Sequence, residues 1–306
     1  MAIAPDILVA LQINTDGSAD TITLANTNSR FPKRTIQIDT SNKKEPVHID
    51  SKTLGRLRLI PADVEWSNYF KAGYLGHATY LDNAPMPSMN ILIDGVVPTG
   101  SGLSSSAAMV VSSLIASLLS ANQTTLSKKK VVQLAMVSER NVGVNSGGMD
   151  QAASVFGERE KAVLVTFAPE LKGETVQFPD DQVMFVIANS LVNADKHDTA
   201  PQNYNLRVVE TTCSAEILAK KLALGELTSR DGFGGTLQEV VARYYQGENL
   251  PVEEQLEKFQ AVVRDVFKGD GEYTQGELAD LMEMHEEKLV EKYMTRFPGF
   301  STIRRI

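Results

Sequence analysis

The sequence predicts an α+β domain over residues 1–180 joined to a mainly helical domain over residues 181–306. Three observations carry this reading. Apolar or alternating runs of strand length are interleaved with helical segments up to Val192, the pattern of a sheet covered by helices. From Asn203 onward the apolar period is helical throughout. At the centre of the first part, Asn90–Ala121 reads as a strand, a glycine-serine loop and a buried helix.

The elements follow in chain order. Ile7–Ile13 is apolar enough for a strand, and Asp16-Gly-Ser18 before Thr21–Leu24 predicts a hairpin. Arg34–Asp39 alternates polar and apolar residues and predicts a third strand, while the charged stretch Thr40–Gly55 reads as solvated loop. Asp63–Tyr80 sets Trp66, Phe70, Tyr74 and His77 at helical spacing. Asn90–Val97 is the next strand, and Leu103–Ala121, rich in Ala, Leu, Met and Val, is a core helix. Ser127 is an N-cap for a helix over Lys128–Arg140, with Gly143 placed to end it. A glycine turn then leads into a short small-residue helix reaching Ser154. Ala162–Phe167 and Val183–Val192 read as strands separated by a turn around Leu171–Glu174. The helices of the second domain are Tyr204–Leu224, Thr236–Tyr245, Pro251–Phe267, Gln275–Met284 and Glu287–Met294, and Thr274 with Glu277 makes a capping box.

Composition narrows the function classes. With 42% hydrophobic and 22% charged residues, a chain of 306 residues has material for two cores. A net charge of −8 argues against a nucleic-acid partner. The single cysteine, Cys213, forms no internal disulfide and suits a reducing compartment. Neither a signal-peptide pattern nor an apolar run of spanning length is found, so a cytoplasmic protein without a membrane partner is expected. The four histidines, His48, His77, His197 and His285, lack the spacing of a zinc site.

The chemistry concentrates in three places. Pro98–Ala108 reads Pro-Thr-Gly-Ser-Gly-Leu-Ser-Ser-Ser-Ala-Ala. Gly100 and Gly102 let the backbone approach a ligand, and a helix start offers free N–H groups with roughly half a positive charge, which suits phosphate. No Gly-Lys-Ser/Thr follows, so this is not a Walker loop. Glu139 is the second place: a hard cation such as Mg²⁺ takes one or two carboxylates plus phosphate oxygens, a need met by Glu139 with the Ser106 hydroxyl. Asp150, behind Gly147 and Gly148, is the third, a carboxylate able to accept the proton of an attacking hydroxyl. The plain alternatives are a connection before a core helix, a solvated helix residue beside Arg140, and an N-cap for a helix from Gln151.

Together these motifs resemble those of the GHMP small-molecule kinases, whose phosphate loop carries Leu-Ser-Ser-Ser-Ala. Within them, Trp66-Ser-Asn-Tyr69, Val142–Ser154 and Ala200–Glu210 resemble the fungal galactokinases, and the likeness runs from about Pro5 to Met294. The resemblance implies the two-domain GHMP kinase fold, with a ribosomal-protein-S5-domain-2-like N-terminal domain and a helix-rich C-terminal one. It also implies Mg²⁺-dependent transfer of phosphate from ATP to the anomeric hydroxyl of D-galactose in the cytosol. By position it assigns Gly100, Ser101, Gly102, Leu103, Ser104, Ser105 and Ser106 to the nucleotide phosphates and Trp66 to the adenine pocket. Ser106 and Glu139 fall to Mg²⁺, Asp150 to the catalytic base or orienting carboxylate, and Gly147, Gly148, Asp150 and Tyr204 to the sugar. For Trp66 and Tyr204 the plain alternative is packing.

The family also carries a segment of the type Gly-Arg-x-Asn-x-Ile-Gly-Glu-His-x-Asp-Tyr before its first strand and a third glycine-rich motif near its C-terminus. Neither is found in these 306 residues, and Gly232–Gly235, lying between helices, reads as loop. The chain is therefore expected to be truncated at both ends, with little or no kinase activity and with apolar surface uncovered. Two other readings share the resemblance: a galactose- and ATP-binding sensor that sequesters a transcriptional repressor, and another GHMP kinase such as an N-acetylgalactosamine, mevalonate or homoserine kinase. The complete Ser104-Ser-Ser-Ala-Ala108 run favours a catalytic lineage, and the Gly-Gly-Met-Asp-Gln context favours the galactose branch.

Overall fold

The computed structural model describes residues 5–15, 21–37, 66–81, 87–142, 146–167, 170–178, 186, 188, 192, 205–228, 234–267 and 272–294. The chain divides into two compact units, Met1–Lys196 and His197–Ile306. In the first, the strands β1 (Ile7–Ile13), β2 (Thr21–Asn26), β3 (Arg34–Gln37) and β4 (Met89–Gly95) form one sheet in the order β1-β4-β2-β3. β1 runs antiparallel to β4, from Ile7 opposite Gly95 to Ile13 opposite Met89, and β2 lies parallel to β4 with Ile22 opposite Met89.

The expected hairpin between β1 and β2 is not formed, because β4 is inserted between them. Ser88, just ahead of β4, holds both flanking strands: Asn14 N–H donates to its carbonyl at 2.9 Å and Thr21 N–H to its hydroxyl at 2.9 Å. β2 instead pairs antiparallel with β3.

Alternation along the strands gives the sheet one buried face. Ile22, Leu24, Ile36, Met89, Ile91 and Ile93 pack there against Phe70, Tyr74 and Leu75 of α1 (Ser67–Tyr80) and Met109 of α2 (Ser105–Ser120). Burying these side chains stabilises the layer by about 1.5–3 kcal/mol each. Leu8, Leu92 and Val96 lie exposed on the chain around the sheet. The far side of α1 and α2 packs on α3 (Lys128–Glu139) through Ala72, Val110, Leu114, Leu118, Val131, Leu134 and Ala135. As expected, Ser127 caps α3, its hydroxyl accepting from Lys130 N–H at 3.2 Å. A turn of 3₁₀ helix at Arg140–Val142 follows, while Gly143 lies outside the described residues.

α4 (Met149–Phe156) packs on α3 and on a second sheet of two antiparallel strands, β5 (Lys161–Thr166) and β6 (Lys172–Gln177). The turn expected at Leu171–Glu174 is thus the start of β6, and the reversal precedes it. Gly173 serves close approach rather than turning: a Cβ there would lie 2.5 Å from the Phe156 ring. Of the strand expected over Val183–Val192, only positions 186, 188 and 192 are described, and none is in a strand.

The second unit is built round α5 (Asn205–Lys221), buried on two sides. Val209, Cys213 and Ile217 meet Leu278, Ala279 and Met282 of α8 (Gln275–Met282) and Leu289 of α9 (Glu286–Leu289), and a π-helical turn over Val290–Met294 adds Tyr293. Ala215, Leu218 and Ala219 meet Val240 of α6 (Leu237–Tyr244) and Phe259 of α7 (Val252–Val266). Thr236 caps α6, and Thr274 with Glu277 forms the expected capping box on α8. Burial pushes the Cys213 thiol up to about 12, leaving it a packing residue rather than a nucleophile.

Two residues of α1 yield measurable consequences. Gly73 touches α2 so closely that a Cβ would lie 2.6 Å from the Val110 carbonyl and 2.7 Å from Leu114 N. Gly73→Ala gains about 1 kcal/mol of helix propensity but forces two backbones apart, at about 1–3 kcal/mol or more. Urea unfolding is expected to show a net loss with an unchanged m value. His77 is fully buried, and among the described residues neither ring nitrogen has a hydrogen-bond partner. Burial lowers its pKa from the ordinary 6.5 to about 4. Below the unfolded value the unfolded chain takes up a proton that the folded chain refuses, so stability falls from pH 6.5 to about 4 and then levels off. Replacing His77 by Leu is expected to reduce the stability difference between neutral pH and the lower end of that range by about 2–3 kcal/mol, read by urea unfolding.

Candidate nucleotide and phosphoryl-transfer site

After β4 the chain must reverse into α2, and it does so with left-handed residues at Gly100 (φ +70), Gly102 (φ +75) and Ser104 (φ +59). Ser101 Oγ donates to the Pro98 carbonyl at 2.8 Å, closing the loop on itself. A Cβ on Gly102 would meet nothing within 4 Å, so its left-handed φ and not crowding is what suits glycine there. The helix begins two residues later than Leu103, at Ser105, with Ser104 as its N-cap. Ser104 makes no side-chain cap, although its carbonyl accepts Ala108 N–H at 3.1 Å. The first-turn N–H groups therefore have neither an intrahelical partner nor an N-cap side chain, and the helix dipole points its positive end the same way.

The body of α2 is a buried helix, and of its buried serines only the Ser113 hydroxyl has no hydrogen-bond partner among the described residues. Ser117 Oγ donates to the Ser113 carbonyl and Ser120 Oγ to the Ser117 carbonyl, both at 2.7 Å, so these hydroxyls are satisfied on their own helix. Ser104, Ser105 and Ser106, by contrast, are only partly buried at the open end.

Glu139 is not on a solvated face. Its side chain, at the end of α3, is only 2% exposed and accepts a hydrogen bond from Gln151 Nε2 on α4. Gln151, fully buried, also places Nε2 3.2 Å from Ser146 Oγ, and Ser146 accepts Gly148 N–H at 3.3 Å. Gly148, with φ +93, is the N-cap of α4, so Asp150 is a half-buried first-turn residue of that helix rather than its cap. A Cβ on Gly148 would lie 2.3 Å from Met136 Sδ, which adds a packing reason for glycine there. Gly147 is exposed, with nothing within 4 Å of where its Cβ would be.

α2 packs on both α3 and α4, so the elements bearing Ser104–Ser106, Glu139 and Asp150 belong to one packed group of helices. Trp66 is the N-cap residue of α1; its Nε1 donates to the Pro32 carbonyl at 3.0 Å and its ring lies 5.8 Å from that of Phe31, against the sheet core. Tyr204 lies outside the described residues. The residue missed by sequence reasoning is Gln151, with its partner Ser146. Its signal was available: a long amide amid the small and apolar residues of Met149–Phe156.

Comparison with known proteins gives this arrangement a class. The model of the GHMP kinases N terminal domain matches residues 68–158, from α1 to just beyond α4. The galactokinase of Candida albicans is 36% identical over 312 residues, covering 97% of this chain and 58% of that protein. That of Candida maltosa is 37% identical over 169 residues, covering 54% of this chain and 70% of that protein. The chain belongs to the galactokinase family. The fold agrees: the structure of Lactococcus lactis galactokinase complexed with galactose matches with a TM-score of 0.50 at 20% identity, over 94% of this chain and 68% of that one. The chain spans 58% of the length of the Candida albicans and Candida parapsilosis relatives.

Proposed function

We propose that the protein transfers the terminal phosphate of ATP to D-galactose, with Mg²⁺, yielding galactose 1-phosphate. The observation that carries this reading is the uncapped start of α2, presented by three left-handed loop residues in a chain of the galactokinase family. A helix start of this kind favours a polyphosphate: its N–H groups donate, its dipole is positive, and Ser104, Ser105 and Ser106 add hydroxyl donors.

Mg²⁺ suits the donor set. Among the described residues there is no cluster of three or more His, Cys, Asp or Glu, and Mg²⁺ needs none, since it binds through one or two carboxylates plus substrate phosphates. The Ser106 hydroxyl and the buried Glu139 carboxylate would hold it, and it would neutralise charge on the phosphate oxygens. Asp150 then has the role of accepting the proton from the sugar hydroxyl, or of orienting that hydroxyl toward the phosphate. Gly147, exposed just ahead of α4, leaves backbone open to the sugar, and Trp66 is the residue proposed for the adenine. The repressor-binding reading gains no observation of its own. No helix among the described residues is long and apolar enough to cross a membrane, and the net charge of −8 argues against a nucleic-acid partner.

Single-turnover transfer from labelled ATP to galactose, with protein in excess, registers even slow chemistry and tests the assignment. Asp150→Asn is expected to slow transfer by about 10²–10⁴-fold while leaving ADP affinity unchanged. Ser106→Ala is expected to weaken Mg²⁺-dependent ADP binding instead. Transfer that is independent of galactose, or an Asp150→Asn rate equal to the parent's, contradicts the proposal.

A further inference from the structure

Gln151 makes contacts that the assigned roles leave unexplained. It is fully buried in the first half of α4, next to Asp150 in sequence, yet its side chain reaches across to the end of α3. There Nε2 donates to Glu139 Oε2, and Ser146 Oγ sits 3.2 Å from Nε2 and 3.3 Å from Oε1. Ser146 is itself fixed by Gly148 N–H at 3.3 Å. The amide is therefore clamped at both ends, and one oxygen of a buried carboxylate is fixed by it.

The chemistry of the clamp is selective. A Lys or Arg in this place would neutralise Glu139 and compete with any cation for it. A neutral amide orients the carboxylate and leaves its negative charge intact. Because Gln151 rides on the same helical turn as Asp150, the clamp also ties the two acidic residues together through α4. We propose that Gln151 is a positioning residue that holds the Glu139 carboxylate in the orientation receiving Mg²⁺ with the nucleotide. This role rests on the kinase reading above.

The test uses the full chain, with ADP and Mg²⁺ as probes, and measures ADP affinity calorimetrically in EDTA and across a Mg²⁺ series. Gln151→Met keeps the side-chain length and removes the amide. It is expected to raise the Mg²⁺ concentration needed to tighten ADP binding by about 10–100-fold with Mg²⁺-free ADP affinity unchanged, while the thermal transition falls because a buried carboxylate loses a hydrogen bond. Ser146→Ala removes one side of the clamp while leaving the helix packing alone, which keeps the question open to measurement even if Gln151→Met does not fold. It is expected to act in the same selective way by about threefold, the scale of one neutral hydrogen bond. Unchanged Mg²⁺ dependence, or equal losses with and without Mg²⁺, overturns the role, the second outcome marking Gln151 as structural only. A parent chain whose ADP affinity ignores Mg²⁺ contradicts the kinase reading itself, and this role with it.

Discussion

The reversal between β4 and α2 is the constraint on which the rest depends. Left-handed backbone at Gly100, Gly102 and Ser104 turns the chain so that α2 starts uncapped at Ser105 while its remaining turns run into the core. For Ser104, which has a Cβ, that conformation costs about 1–2 kcal/mol. The cost is offset by burial further along, since Val110, Leu114 and Leu118 are each at most 1% exposed between α1 and α3. Anchored at its body and open at its start, the helix presents backbone donors that no side chain of its own cap satisfies. Strain of this sort commonly marks a ligand site, and family membership says which ligand to test.

On the neighbouring helices the constraint is electrostatic. A carboxylate as buried as Glu139 is unfavourable unless hydrogen-bonded or paired. The Gln151 amide answers part of that need without removing the charge. Gly148 contributes from the backbone: its left-handed φ starts α4, its missing side chain leaves room for Met136, and its N–H holds Ser146. α3 and α4 are thereby joined by polar contacts as well as by the apolar cluster of Val132, Ala152, Met136 and Val155.

Local chemistry was legible in the sequence and long-range pairing was not. The N-cap at Ser127, the Thr274–Glu277 box and the strand–loop–helix around Gly100 follow from residue types within a few positions of one another. The order β1-β4-β2-β3 does not. Alternation in Ile22–Leu24 and Ile91–Ile93 says which face of a strand is buried and nothing about which strand lies beside it. Gly173 was read as a turn residue because glycine serves turning and close approach alike, and only Phe156 packed against it separates the two. Glu139 was legible as a candidate from its motif context, but its burial depends on a partner twelve residues on. Gln151 carried a signal, polarity in an apolar run, that a search for charged residues passes over. Tyr204 and most of Val183–Val192 fall outside the described residues, so their expected roles and structure stay with the sequence.

Amide hydrogen exchange across Gly102–Ala108, with and without Mg²⁺ and ADP, addresses the central claim most directly. The expected result is slowed exchange at Ser105, Ser106 and Ala107, whose N–H groups would become donors to phosphate oxygens. If ADP binds and these amides exchange as before, with protection appearing elsewhere, the start of α2 is not the phosphate site.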